Sequence, residues 1–162
     1  MNEEPHTSSL ADVLLQAVEQ SPSIVVITDL KGCIEYINPV FCRLTGYSRE
    51  QVLGKHIRIL KSGFMPPGFY VTLWKTLTAG HEWRGEFHNR KKSGETYWQA
   101  ATISPIRNAE GITEHYLSVA EDVTLRKAME RELQESQERY ERVVMATRGF
   151  MFTVLLENGQ TT

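Results

Sequence analysis

Cysteine is scarce in this sequence. Cys33 and Cys42 stand nine positions apart and match no metal-ligating spacing. In a chain without a secretion signal they read as reduced, structural thiols. The first ten residues, MNEEPHTSSL, are acidic and polar and lack the apolar core of a secretory signal, so the expected location is cytoplasmic. No apolar run approaches the roughly 20 residues that a membrane-spanning helix needs, and no membrane contact is expected. Positive charge is not in excess, the formal net charge being -2, which removes the electrostatic footprint of a nucleic-acid binder. Nothing resembling a phosphate-binding glycine loop, a nucleophile–base pair or a metal cluster emerges. Glu86 and His88 alternate along one segment, a pattern more typical of a solvated strand face. The chain therefore reads as a non-enzyme.

What is present is an ordinary globular composition. Apolar residues make up 41% and charged residues 23% of the 162 positions, enough to build a core for one domain with some chain to spare. Residues 1–8 read as a loose tail. Residues 9–22 read as an amphipathic helix, with Ser9 as cap and Leu10, Val13, Leu14, Ala17 and Val18 at helical spacing. IVVIT and CIEYIN then form two strands around Asp29-Leu30-Lys31-Gly32. Asn38-Pro39 turns into a short helix ended by Gly46, and SREQ at Ser48–Gln51 opens another as a capping box.

The stretch GKHIRILKSG, residues 54–63, is basic and apolar at once, with no turn signal before Ser62-Gly63. Beyond it, Pro66 and Pro67 suit a helix start, Phe69, Leu73, Trp74 and Leu77 form one stripe, and Gly80 closes it. Three strands follow, EWRGEFHNRK, ETYWQAATISPIRN and ITEHYLSVAEDVT, separated by Lys92-Ser93-Gly94 and Asn108-Ala109-Glu110-Gly111. Five strands with helices grouped between the second and third predict an α+β domain over residues 23–124. Residues 125–147 are charged, helix-forming and free of Gly and Pro. Leu125, Met129, Leu133, Ser136, Tyr140 and Val143 approximate a coiled-coil seam. Residues 148–162, with GFMFTVLLENGQTT, read as a strand and turn, the possible start of a further domain.

On these residues the chain resembles a PAS domain of the sensory-box type. The resemblance is carried by VEQSPSIVVITDLKGCIEYINPVFCRLTGYSREQVLGK and by WRGEFHNRKKSGETYWQAATISPIRNAEGITEHYLSVAEDVT. It implies a PAS fold: a five-stranded antiparallel sheet flanked by short helices, with a ligand held between sheet and helices. An exiting helix would drive an output domain such as a histidine kinase. The output itself lies outside these residues. It also implies a homodimer formed through the N-terminal and C-terminal helices.

The resemblance can be narrowed by cofactor. Haem sensors of this family place a histidine on the long helix before the third strand, and PPGFYVTLWKTLTAG has none. Light-sensing flavin (LOV) domains carry a cysteine in the frame of GKHIRILK. Here that place is Ile57, so no cysteinyl photoadduct can form, and the last-strand glutamine falls at Ala120. Arg58 stands where those domains clasp the flavin phosphate, with Lys61 and His56 also available to it. Asn89 and Gln99 stand where two amides read the ring edge, since a carboxamide offers donor and acceptor together. ILKSGFMPPGFYVTLW most resembles the FAD-binding redox sensors of the nitrogen-fixation and methane-monooxygenase type, in which residues at the places of Trp74 and Asn89 contact the cofactor. Val26 and Ile57 replace polar residues of the nitrogen-fixation sensor and would make the site drier. The resemblance thus implies FAD, with FMN or no cofactor as alternatives. The residues alone leave Trp74 open to a packing role, and Asn89 and Gln99 open to a role as sheet-surface polars. A cofactor-free dimerization and relay module remains the alternative.

Overall fold

The computed structural model describes residues 9–157, with side chains described for residues 9–147. The expected tail at residues 1–8 and the turn beyond residue 157 lie outside the described residues. The chain divides into two compact units, the first ending at Val123 and the second starting at Thr124.

The first unit is a five-stranded sheet with flanking helices. In chain order it contains α1 (Leu10–Glu19), β1 (Ile24–Thr28), β2 (Ile34–Ile37), α2 (Pro39–Thr45) and α3 (Arg49–Val52). A 3-10 turn (Ile57–Leu60), α4 (Phe69–Thr78), β3 (Trp83–Arg90), β4 (Thr96–Arg107) and β5 (Thr113–Asp122) complete it. The sheet order is β2-β1-β5-β4-β3, and every neighbouring pair is antiparallel. The α+β reading and the five strands are as the turn chemistry predicts.

Local chemistry explains the chain reversals. Asp29 Oδ1 accepts hydrogen bonds from the amides of Lys31 and Cys33, both at 2.8 Å, which closes the β1–β2 turn. Asn38 is fully buried where β2 ends. Its Oδ1 accepts from the Val25 amide at 3.0 Å and caps α2 at Phe41, while its Nδ2 donates to the carbonyl of Ser23 at 2.8 Å. Ile34, Ile37, Phe41 and Val52 pack beneath it in the core. Leu73 and Leu77 of α4 face that core, and Trp83 is buried at the start of β3.

Helix α1 is fixed at its C-terminal end. Glu19 accepts from the Tyr36 hydroxyl at 2.6 Å and from Arg49 at 2.9 Å, and Arg49 also donates to the carbonyl of Ile37. These contacts hold the Glu19 carboxylate below its ordinary pKa, while burial and the bond to Glu19 push Tyr36 up to about 12. The apolar stripe at Leu10, Val13 and Leu14 stays exposed.

The second unit is one helix, α5 (Thr124–Glu157), 34 residues long. Leu125, Met129, Leu133, Tyr140 and Val143 lie exposed along it. The strand expected from Gly149 onward is corrected: the backbone stays helical to Glu157. A short apolar run fits both periods, so its pattern cannot choose between strand and helix. With no proline to stop it, the preceding helix continues through it.

Candidate functional site

Between the sheet and the helices lies a cavity of about 110 Å³. Its walls are mostly apolar, as in small-molecule sites. The floor is the sheet. Val26 and Thr28 come from β1, Phe87 and Asn89 from β3, Gln99 and Ile103 from β4, and Tyr116 and Ser118 from β5. The register explains the convergence: Val26 pairs with Ser118, Ser118 with Ile103, and Phe87 with Gln99, so alternate residues of four strands face one way. The roof is the 3-10 turn with His56, Ile57, Arg58 and Lys61, together with Tyr70, Leu73 and Trp74 of α4.

All eight residues singled out from the sequence, Val26, His56, Ile57, Arg58, Lys61, Trp74, Asn89 and Gln99, line this one cavity. Asn89 and Gln99 are buried, not surface polars of the sheet. Asn89 Nδ2 donates to Gln99 Oε1 at 3.3 Å, so the two amides form a pair in an apolar wall. Gln99 also sits opposite Asp122 in the β4–β5 ladder, two residues before α5 begins.

Trp74 is half-buried. Its ring makes T-shaped contacts with Tyr116 at 6.0 Å and with His56 at 6.4 Å between centroids. The GKHIRILKSG stretch is sewn down by backbone bonds. Ile57 N–H donates to the carbonyl of Gly32 at 2.8 Å, and Lys61 bridges to Asn89 on the edge strand β3. Lys61 Nζ lies 3.4 Å from the centre of the Tyr70 ring, a cation–π contact. Arg58 is exposed at the mouth. His56 Nδ1 accepts from the Arg58 amide at 3.0 Å, so that nitrogen carries no proton. Burial first, then the positive charges of Arg58 and Lys61, hold its pKa below the ordinary 6.5.

The cavity therefore offers mostly apolar walls, two buried amides among them and the basic side chains of Arg58 and Lys61. These residues fit a planar heteroaromatic group with donors and acceptors along one edge and a phosphate tail. They fit a metal poorly, since no group of three His, Cys, Asp or Glu side chains converges among the described residues. His88 does not belong to the site. It alternates with Phe87 and Asn89, points to the other face of β3, and is held by the Ser62 hydroxyl at 2.8 Å. Sequence reasoning missed Tyr97, which is fully buried and donates to Gln99 Oε1 at 3.2 Å. The period-2 pattern of β4 carried the signal, because any face that holds Gln99 also holds Tyr97.

Comparison with known proteins places the same region in context. The family model described as "PAS domain" matches residues 22–125. A nitrogen fixation regulatory protein of Klebsiella oxytoca is 35% identical over 127 residues, 78% of this chain and 26% of that protein. A blue-light-activated histidine kinase of Brucella ovis is 36% identical over 92 residues, 57% of this chain and 19% of that protein. The chain thus spans about a quarter or less of the curated relatives it matches. A solved light-oxygen-voltage domain, studied with a flavin analogue, superposes with a TM-score of 0.65 at 29% identity, covering 78% of this chain and 96% of that one.

Proposed function

Since the chain belongs to the PAS family, whose domains serve as sensory modules, we propose that it binds a flavin, FAD in preference to FMN, and reports the flavin's redox state through α5. One observation carries this reading: the buried amide pair Asn89–Gln99 stands in a largely apolar slot. An amide pair in such a wall is costly unless a ligand or a neighbour satisfies it. The relatives support the class of ligand, since one similar solved domain was studied with a flavin analogue.

In this reading Trp74 and Ile57 would cover the ring system from the roof, and Val26 would form the apolar floor. Asn89 and Gln99 hydrogen-bond the polar ring edge. Arg58, Lys61 and His56 would receive the phosphates at the mouth. A bound flavin supplies a couple in which ring nitrogen N5 accepts a hydrogen bond when oxidised and donates one when reduced. Gln99 answers that change by turning its amide, since oxygen and nitrogen are close to interchangeable in shape. Asp122, opposite Gln99 in the ladder, passes the change to the residues that open α5. Two packings of α5 in a homodimer, a few kcal/mol apart, are enough to switch an output domain such as a histidine kinase. Light sensing by a cysteinyl adduct is ruled out by Ile57. The exposed apolar stripes of α1 and α5 support self-association.

The test is the visible spectrum of the purified protein. Flavin bands that bleach with dithionite are expected, with FAD released on heating. A colourless protein that takes up neither FAD nor FMN would leave a cofactor-free relay module as the function.

A further inference from the structure

We propose that Tyr97 is a positioning residue that fixes which end of the Gln99 amide faces the cavity, and so biases a bound flavin toward its oxidised form. The inference rests on the flavin reading above and adds a residue to it.

The geometry is specific. Gln99 Oε1 accepts two hydrogen bonds from the protein wall, from Tyr97 Oη at 3.2 Å and from Asn89 Nδ2 at 3.3 Å. Both lone pairs of that oxygen are then used, and the Nε2 hydrogens are the end left for the cavity. Gln99 is 7% exposed and Tyr97 1%, so water does not compete for these bonds. Burial also raises the Tyr97 pKa, so the hydroxyl keeps its proton and remains a donor. The wall therefore presents a donor to the ring, which matches an N5 that accepts.

Reduction reverses the match. If a bound flavin were reduced by dithionite, two electrons and a solvent proton taken up at N5 would turn that nitrogen into a donor. Gln99 must then turn its oxygen inward. The turned amide would point its Nε2 hydrogens at Tyr97 Oη and Asn89 Nδ2, both of which are donors in the resting arrangement. Tyr97 would lose its acceptor in a site closed to water. The hydroxyl thus opposes the turned state, and its removal should ease reduction.

The experiment is a reductive titration of the flavin-loaded full chain, with a dye of known potential as reference, for wild type, Tyr97→Phe, Gln99→Leu and the double variant. Tyr97→Phe keeps the ring and removes only the hydroxyl. We expect its midpoint to rise by about 30 mV, the equivalent of a tenfold change in preference for a two-electron couple. In the Gln99→Leu background the same substitution should shift nothing, because Tyr97 acts only through the amide. An unchanged midpoint in Tyr97→Phe, or an equal shift with and without Gln99, overturns the proposal. If Tyr97→Phe does not fold, Gln99→Leu alone must raise the midpoint, and a midpoint equal to wild type overturns it. A wild-type chain that takes up no flavin removes the reading underneath and the inference with it. Absorbance reports that outcome before any variant is made, so it is distinct from a bound flavin indifferent to Tyr97.

Discussion

A Cβ placed on Gly32 would lie 3.1 Å from Cη2 and Cζ2 of Trp74, the same distance as from Cε1 of His56. The β1–β2 turn and the roof of the cavity therefore touch at one glycine, which also adopts a φ of +83°. Gly32→Ala should lower stability by about 1–3 kcal/mol through backbone strain and overpacking. It should also weaken flavin uptake, because the Trp74 indole must move. Urea unfolding and a flavin titration on the same variant check both halves.

Arg58 and Lys61 differ from the amides in what they would recognise. Their charges should matter to a phosphate and not to a ring. Arg58→Ala with Lys61→Ala should weaken FMN and FAD binding about tenfold at low salt, the scale of a lost charge-assisted hydrogen bond. Added salt should shrink the difference. Riboflavin, which lacks the phosphate, should bind wild type and variant alike. Equal losses for all three ligands would place the cations elsewhere than at the phosphate.

His56 adds a proton linkage. Its pKa is held below 6.5 by burial and by the neighbouring Arg58 and Lys61. The folded chain therefore binds fewer protons than the unfolded one, and this contribution to stability is present above pH 6.5 and lost as pH falls through the folded pKa. A phosphate at the mouth favours the charged imidazole. Binding of FAD, whose diphosphate does not titrate near pH 6, should then take up protons at that pH, seen as a binding heat that depends on the buffer's ionisation enthalpy. His56→Gln should abolish that dependence.

Glu19 behaves in the same sense at lower pH. The hydrogen bond from Tyr36, then that from Arg49, depress its pKa below 4.5. The stabilisation is complete above 4.5 and disappears as pH falls through the folded value. The melting temperature of Glu19→Gln should lie below wild type at pH 7, and the gap should close as pH drops below 4.5.

Along α5, Leu133 is exposed in the middle of the apolar seam. If that seam joins two copies, Leu133→Glu should convert a dimer to a monomer in light scattering and leave the flavin spectrum unchanged. Buried like charges across a seam oppose association.

Much of this architecture was legible from short-range chemistry. The turn residues Asp29–Gly32, Lys92–Gly94 and Asn108–Gly111 delimit the strands they flank, and the eight cavity residues follow from the resemblance along GKHIRILK, the helix with Trp74 and three of the strands. Two kinds of information were not local. Asn38 read only as a turn before proline, yet it is fully buried and bonds the amide of Val25 and the carbonyl of Ser23. Nothing in its own neighbourhood states that a segment 13 to 15 residues back in the chain needs its amide. Tyr97 was hidden for a related reason, since a strand's alternation says which residues share a face but not which of them reach one another. The helix beyond Gly149 failed differently, because an apolar run of that length carries both periods at once.

The strand order has a mechanical meaning. Ile24, where β1 begins, pairs with Ala120, close to where β5 ends, and these two strands are neighbours in the sheet. The segments before β1 and after β5 therefore leave from the same end of a single antiparallel ladder. A tension between them does not slide the strands past each other, which would load all the rungs together. It peels the ladder rung by rung from Ile24–Ala120 inward, with Val26–Ser118, in the cavity floor, two rungs further on. The fold is thus soft to pulling at its two junctions, and a filled cavity should raise the force needed to open it.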